Sequence, residues 1–278
     1  MGIGSLGDNL LVDAKDGAFN ENPIALFSTG IGFEEGQFPH NPNIVLPERL
    51  RRNVKCYALR GKLTDARLSK MLGRPTGAVL GDGGLLVRYL VDADKIEKKY
   101  DLGIVPHYAD SGNAIFSAIA RRVPNSRILD PTRTVDGFLK DLCACKAVIS
   151  TAMHPLIACD ALRIPNQWVR ISEETTSRYK FHDYYSVFGK HKEPLDLTSH
   201  EFGQADLKNL IRNYDISDEQ VSKVQRDLLT ALQSLRSDIE KIKHKLILLR
   251  LAKLVLRPTV WLIPIRRVRK RFRQYLKY

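Results

Sequence analysis

The chain has 278 residues, enough for two modest domains or one large one. Its composition, 44% hydrophobic and 27% charged, is that of a globular protein and excludes wholesale disorder. The net charge of +13 sits at one end: from Lys241 onward there are 13 Lys and Arg and no Asp or Glu, which leaves 31 basic residues against all 31 acidic ones before it. The body is therefore excluded as a general nucleic-acid binder, and acidic partners belong to the tail alone.

In chain order, "MGIGSLGDNLL" lacks the basic start and long apolar core of a secretion signal, so a cytoplasmic protein is expected. "PIALFSTG" (23–30), "VKCYALRG" (54–61) and "TGAVLGDGG" (76–84) read as strands ending in glycine turns. Between the last two, "KLTDARLSKMLG" reads as a helix stopped by Gly73 and followed by Pro75. The polar "DADKIEKKY" (92–100) marks a domain boundary. Beyond it, "DLGIVPHY", "SRILD", "KAVIS" and "NQWVRIS" read as strands. Three helices alternate with them: "GNAIFSAIARRV", "TVDGFLKDLCAC" and "HPLIACDALRI". Strands separated by helices of this length predict parallel βαβ units with right-handed crossovers. Cys56, Cys143, Cys145 and Cys159 have neither disulfide nor zinc-finger spacing and read as reduced core residues, with Cys143 and Cys145 on one helix.

Several stretches carry candidate chemistry. In "LGDGGLLV" (80–87) the glycines let backbone N–H groups approach a phosphate; the alternative is a tight strand-to-helix turn with Asp82 as N-cap. Arg60, at a strand end before Gly61, either points into a cleft and clamps a carboxylate or phosphate, or is a surface arginine at a helix start. His107 follows Pro106, and His154 heads an apolar run after "CKAVIS". Two histidines at corresponding strand ends could both move protons near neutral pH. "YKFHDYYSVFG" (179–189) mixes rings with Lys180, His182 and Asp183 and reads as a cleft-lining loop or as core.

Taken in order, "GIGSL", "FSTGIGF", "YALRGKLT", "VLGDGGLLV", "GIVPHYAD", "VISTAMHPLIACDALRIPNQWV" and "KFHDYY" resemble the polysaccharide pyruvyl transferases. The resemblance implies an α/β fold of two Rossmann-like domains of the GT-B type. It implies transfer of the pyruvyl group of phosphoenolpyruvate to a sugar as a ketal, with phosphoenolpyruvate as donor substrate and no separate cofactor or metal. It makes His154 the acid/base and Arg60 a holder of phosphoenolpyruvate. Asp82, Gly83, His107, Ser150, Thr151, Lys180, Asp183 and Tyr184 become candidate substrate-binding residues. Departures from the family pattern are Ala152 where an arginine often stands, Pro155 for a glycine, and Gly83 for a proline. An early Asn-Phe-Gly-Asp-like motif expected well before "GIGSL" does not fit, so the expectation is either an N-terminally truncated member or one that has lost the first strand and part of the donor site. The implied domains are 1–95, 96–190, a linker and long helix over 191–256, and a tail over 257–278.

From Ser217 a long helix is expected, capped by Ser217 with Gln220. Leu228, Leu235, Ile242 and Leu249 repeat every seven residues, offset by Leu232, Ile239 and Leu246. That pattern serves packing on the chain itself or self-association equally well. In the tail, Arg250, Lys253 and Arg257 interrupt every apolar run, so no spanning helix is expected. Trp261 and the basic cluster Arg266 to Arg273 read instead as an in-plane anchor. Residues 241–278 would then bind an anionic membrane at the inner face of the cell membrane, near a lipid-linked saccharide acceptor. A solvated basic tail or a nucleic-acid-binding arm is the alternative. Two competing functions remain: a GT-B glycosyltransferase using a nucleotide sugar, and a non-catalytic degenerate homologue.

Overall fold

Parallel pairing of short strands organises the first half, as the glycine-ended apolar segments predict. In a computed structural model describing residues 23–33, 46–172 and 177–259, with side chains as far as 244, β1 (Ile24–Leu26) pairs in parallel with β2 (Val54–Cys56). The short helix α1 (Glu48–Asn53) leads into β2, and β3 (Ala58–Leu59) pairs in parallel with β4 (Val79–Leu80). Backbone bonds join these pairs: Tyr57 N–H donates to Leu26 O at 2.8 Å, Ser28 N–H to Ala58 O at 2.8 Å and Arg60 N–H to Thr29 O at 3.1 Å. Residues 54–60 are thus the middle of a three-stranded parallel arrangement. The helix α2 (Lys62–Leu72) ends where predicted, with Gly73 left-handed at φ 65° and its N–H bonded to Lys70 O.

The second half is a five-stranded parallel sheet. Its strands are β5 (Tyr100–Val105), β6 (Ser126–Ile128), β7 (Cys145–Ser150), β8 (Asn166–Arg170) and β9 (Leu195–Asp196), in the order β6-β5-β7-β8-β9. The connecting helices are α3 (Ala114–Arg122), α4 (Val135–Cys143), α5 (Met153–Ala161) and α6 (Arg178–Tyr185), and α7 (Gln204–Asn213) follows the last strand. The predicted βαβ rhythm is therefore realised as a mixed α/β fold. Two readings change. Cys143 ends α4 and Cys145 opens β7, so the pair spans a helix–strand junction; all four cysteines are buried and free. "YKFHDYYSVFG" is no loop: it forms α6 and a 3₁₀ turn, with Phe181, Asp183, Tyr184, Tyr185 and Phe188 buried.

The chain divides into two compact units, Met1–Ala231 and Leu232–Tyr278. Within the first, one hydrophobic cluster draws on both halves: Ala58 and Leu85 meet Met153, Leu156, Ile157, Trp168, Phe181 and Tyr184. Trp168 and Phe181 stack at 4.0 Å. The final helix α8 (Asp218–Thr259) starts with the predicted capping box: Gln220 N–H donates to Ser217 Oγ at 3.2 Å and Ser217 N–H to Gln220 Oε1 at 3.1 Å. Leu228 is fully buried in the first unit, whereas Leu232, Ile239 and Ile242 of the second are exposed. No helix among the described residues is long and apolar enough to cross a membrane. The tail features at 260–278, and the side chains from 245 onward, lie outside the described residues, as does "GIGSL".

Asp160 is the polar hub beneath the sheet. It is buried and accepts from Tyr184 Oη at 2.7 Å, Tyr214 Oη at 2.6 Å and Asn166 Nδ2 at 2.6 Å. Burial pushes its carboxyl up, while these three donors pull it back. Asp160→Ala strands the donors in an apolar interior and is expected to cost about 3 kcal/mol or more in chemical denaturation. Tyr214→Phe, at the hub's less buried edge, should cost a fraction of that.

Candidate active site

β5 and β7 are neighbours in the sheet, with Val105 opposite Ser150. The segments leaving these two strands therefore emerge at one edge, where parallel α/β sheets bind ligands. Hydrogen bonds fix that edge. Ser150 Oγ donates to Val105 O at 2.7 Å; Thr151 Oγ1 donates to Asp110 at 2.7 Å and accepts from His107 N–H at 2.8 Å. His107 Nδ1 accepts from Ala109 N–H at 3.3 Å, so a neutral ring carries its proton on Nε2.

His154 lies on the first turn of α5. Every other residue of that nine-residue helix is buried. Apart from Asp160, whose carboxylate is met by three donors, the buried residues of α5 are apolar or cysteine, and His154, exposed at the open end, stands out from that pattern. Ala152 gives α5 no side-chain cap, and Pro155 contributes no N–H. The first-turn amides of Met153 and His154 thus start an uncapped helix beside the His154 ring.

The 3₁₀ helix Gly83–Leu90 packs on α5, closely enough that a Cβ on Gly84 would sit 2.9 Å from Ile157 Cγ2. Its N-cap is Asp82, fully buried. Oδ1 of Asp82 accepts from Gly84 N–H at 2.8 Å, and Oδ2 has no hydrogen-bond partner. Burial pushes the Asp82 carboxyl up, against the Gly84 N–H and the charges of His154 and Arg60, with Asp183 adding to the rise. His154 is exposed at the protein surface, with protein close enough around it to desolvate the ring in part. Desolvation therefore lowers it, Asp82 draws it back up, and Lys180 and Arg60 lower it further. His107 is lowered by desolvation and by Lys180, opposed by Asp110. Lys180 is lowered by burial and by Arg60. Asp82, His107, His154, Lys180 and Arg60 thus act on one another from five separate stretches of chain.

Four candidates occupy other positions than the sequence implies. Arg60 is not an open clamp: it is wholly buried, with Nε 3.0 Å from Asp183 Oδ2 and Nη2 donating to Ile31 O. Asp183 is equally buried and also accepts from Thr64 N–H at 2.9 Å and Thr64 Oγ1 at 2.6 Å. Tyr184 faces the core and donates to Asp160. Gly83 offers no free amide, because its N–H donates to Ser28 Oγ. With Gly84 N–H held by Asp82, the glycine run is the capped turn and not a phosphate cradle.

Ser28, Thr64 and Asp110 complete the site, and sequence reasoning missed all three. Ser28 is buried in a left-handed conformation, φ 55°, a strain of about 1–3 kcal/mol that persists only where the surroundings enforce it. "FSTG" contains no local signal for it, since its partner lies 55 residues away. Gly61 is required by close approach: a Cβ there would lie 1.8 Å from Asp183 O.

Residues 80–172 match the family model described as polysaccharide pyruvyl transferase. This is the family whose resemblance the ordered motifs carry. The matched segment holds Asp82, His107, Ser150, Thr151 and His154. The chain is also 28% identical over 190 residues to an uncharacterized protein of Acanthamoeba polyphaga mimivirus; the match covers 63% of this chain and 64% of that relative. The chain therefore spans less than two thirds of the relative's length.

Truncation of one partner of a buried ion pair leaves an uncompensated charge, at a cost of about 3–5 kcal/mol. Asp183→Ala is expected to lower stability by that amount in urea unfolding. Thr64→Val, which keeps the pair but removes a donor to Asp183 and the acceptor of Ile31 N–H, should lower it by about 1–3 kcal/mol.

Proposed function

We propose that this chain, through the domain matched over residues 80–172, is a pyruvyl transferase that forms a ketal between phosphoenolpyruvate and a pair of sugar hydroxyls. The observation that carries the reading lies inside the matched segment: His154 opens α5 within electrostatic reach of a buried Asp82 whose second oxygen has no hydrogen-bond partner. The reaction needs a proton on the methylene carbon of the donor, attack of a sugar hydroxyl on C2, and loss of phosphate. The neighbouring hydroxyl then closes the ring.

His154 supplies the proton traffic. Desolvation favours its neutral ring, the form able to accept the sugar hydroxyl's proton and then pass it to the methylene carbon. Asp82 orients the ring and stabilises it once protonated. Lys180, half-buried and within electrostatic reach of both histidines, is the cation for the donor's carboxylate and phosphate, together with the uncapped amides opening α5. These parts stand in for the arginine replaced by Ala152. Arg60 acts through Asp183 as a positioning residue and adds positive potential without touching the donor. Ser150 and Thr151 hold the strand edge, and His107 faces the donor from the neighbouring strand. Tyr184 and Gly83 are left with structural roles.

The same reading includes a GT-B arrangement with its boundary near 92–100, a lipid-linked acceptor, and peripheral attachment at the cytoplasmic face of the membrane through residues 241–278. The basic excess of that segment supports the attachment.

Two outcomes are expected. His154→Ala should lower phosphate release from phosphoenolpyruvate, with lipid-linked saccharides as acceptors, by about 100- to 10,000-fold without changing the fold. Full activity in that variant would sink the mechanism. The pH profile gives the second. A base whose pKa is held below its ordinary 6.5 is mainly neutral at pH 7, so the acid limb of kcat/KM should lie below that of an ordinary histidine. Lys180→Met removes a cation that pushes both histidines down, so the acid limb should move to higher pH. A limb that stays in place would show that Lys180 does not act on His154.

A further inference from the structure

Away from this site, three side chains converge on one point. His182 lies on α6, and His191 and Glu193 lie in the connection from α6 to β9. His182 Nε2 is 3.1 Å and His191 Nε2 is 3.0 Å from the same carboxylate oxygen, Glu193 Oε1. The two rings are 4.5 Å apart and tilted by 32°, and all three donor atoms lie within 4.8 Å of one another. Despite its distance to the carboxylate, the buried His182 Nε2 makes no hydrogen bond: it faces Glu193 off the hydrogen-bonding direction.

We propose that His182, His191 and Glu193 bind a divalent transition-metal ion of the zinc class. Two imidazole nitrogens and one carboxylate oxygen turned toward a common point are ligands of one ion more readily than hydrogen-bond partners of one another. Metal–ligand lengths of about 2.0–2.2 Å place neighbouring ligands of a tetrahedral ion roughly 3.3–3.5 Å apart, and small rotations of the three side chains reach that spacing. Imidazole selects zinc, nickel, cobalt and copper, whereas magnesium and calcium take oxygen ligands in larger number.

The surroundings fit. Arg178 Nη1 lies 3.3 Å from the other oxygen, Glu193 Oε2, and so orients the carboxylate as an outer partner orients a metal ligand. Lys190 and Lys192 flank His191, but each is held by Asp215 at 2.9 Å. Glu193 lines the wall of an open cavity of about 400 Å³, also bounded by Trp168, Asp206 and Tyr214, which admits the water for a fourth position. The ion would clip the 190–193 connection to the face of α6 that carries His182. Its neighbours Lys180 and Asp183 belong to the candidate active site.

The test uses the full-length chain, stripped with a chelator and titrated with zinc chloride or magnesium chloride. Calorimetry should show one zinc per chain at micromolar affinity or tighter. Tm should rise with zinc concentration, while magnesium should do neither. Cobalt should give visible d–d absorption and should quench Trp168, whose ring lies 6.0 Å from that of His182. His191→Gln and Glu193→Gln alter exposed residues, should fold normally, and should each weaken zinc binding at least tenfold. His200, paired with Asp206 at 2.9 Å, is the control: His200→Gln should leave the affinity unchanged. Failure to saturate with zinc, an equal response to magnesium, or loss of binding only in the His200 variant would each overturn the proposal. None of these readouts depends on transferase activity.

Discussion

The buried contact of Arg60 with Asp183 is the constraint on which the first unit's architecture rests. Both side chains are fully removed from solvent, which costs several kcal/mol per ion unless every charge is met. Here the charges are met from both directions. Asp183 accepts from Arg60, Thr64 N–H and Thr64 Oγ1, and Arg60 also reaches Ile31 O. Ile31 N–H in turn donates to Thr64 Oγ1 at 3.0 Å, closing the circuit. Segments near residues 31, 60–64 and 183 can therefore exist in one relative position only. Gly61 is a consequence of that requirement, since α6 presses its Asp183 carbonyl against the Gly61 backbone.

The same pair sets the field of the site. Arg60 lowers both Lys180 and His154, while Asp183 opposes it at Asp82. A cation held in a low-dielectric interior acts on its neighbours more strongly than one in water, and it needs no reorganisation to do so. The chain thus gains positive potential near His154 from a residue that never has to meet the ligand. That is a physical route by which a chain with Ala152 beside its histidine can still present a basic site.

Features legible in the sequence share one property: their partners are a few residues away. Gly73 ends α2, Ser217 and Gln220 cap α8, and the apolar strands before His107 and His154 lie where periodicity puts them, because each signal is written within one turn or one strand. The placement of Arg60, Tyr184 and Ser28 was not legible. Arg60 meets its carboxylate across 123 residues, Tyr184 meets Asp160 across 24, and Ser28 meets Gly83 across 55. A side chain at a strand end can face a cleft or a core, and only the element packed against it decides. For Arg60 that element is α6, whose dense aromatics hid an eight-residue helix behind the composition of a loop.

The aromatic helix also explains how one short element serves opposite demands. Its successive residues point in different directions: Phe181 stacks on Trp168 in the core, Asp183 receives Arg60, and Tyr184 donates to Asp160 under α5. Lys180 is left near both histidines, while His182 turns to Glu193 on another side. Moving α6 by even a fraction of a turn would break the ion pair, the ring stack and the Asp160 hub together. Its position is over-determined by contacts of three different kinds. An element fixed in this way can hold Lys180, a rotamer-rich side chain, at a constant place in the field of Arg60. Pre-organisation of that kind is what the proposed transfer from phosphoenolpyruvate, a small polyanion, requires.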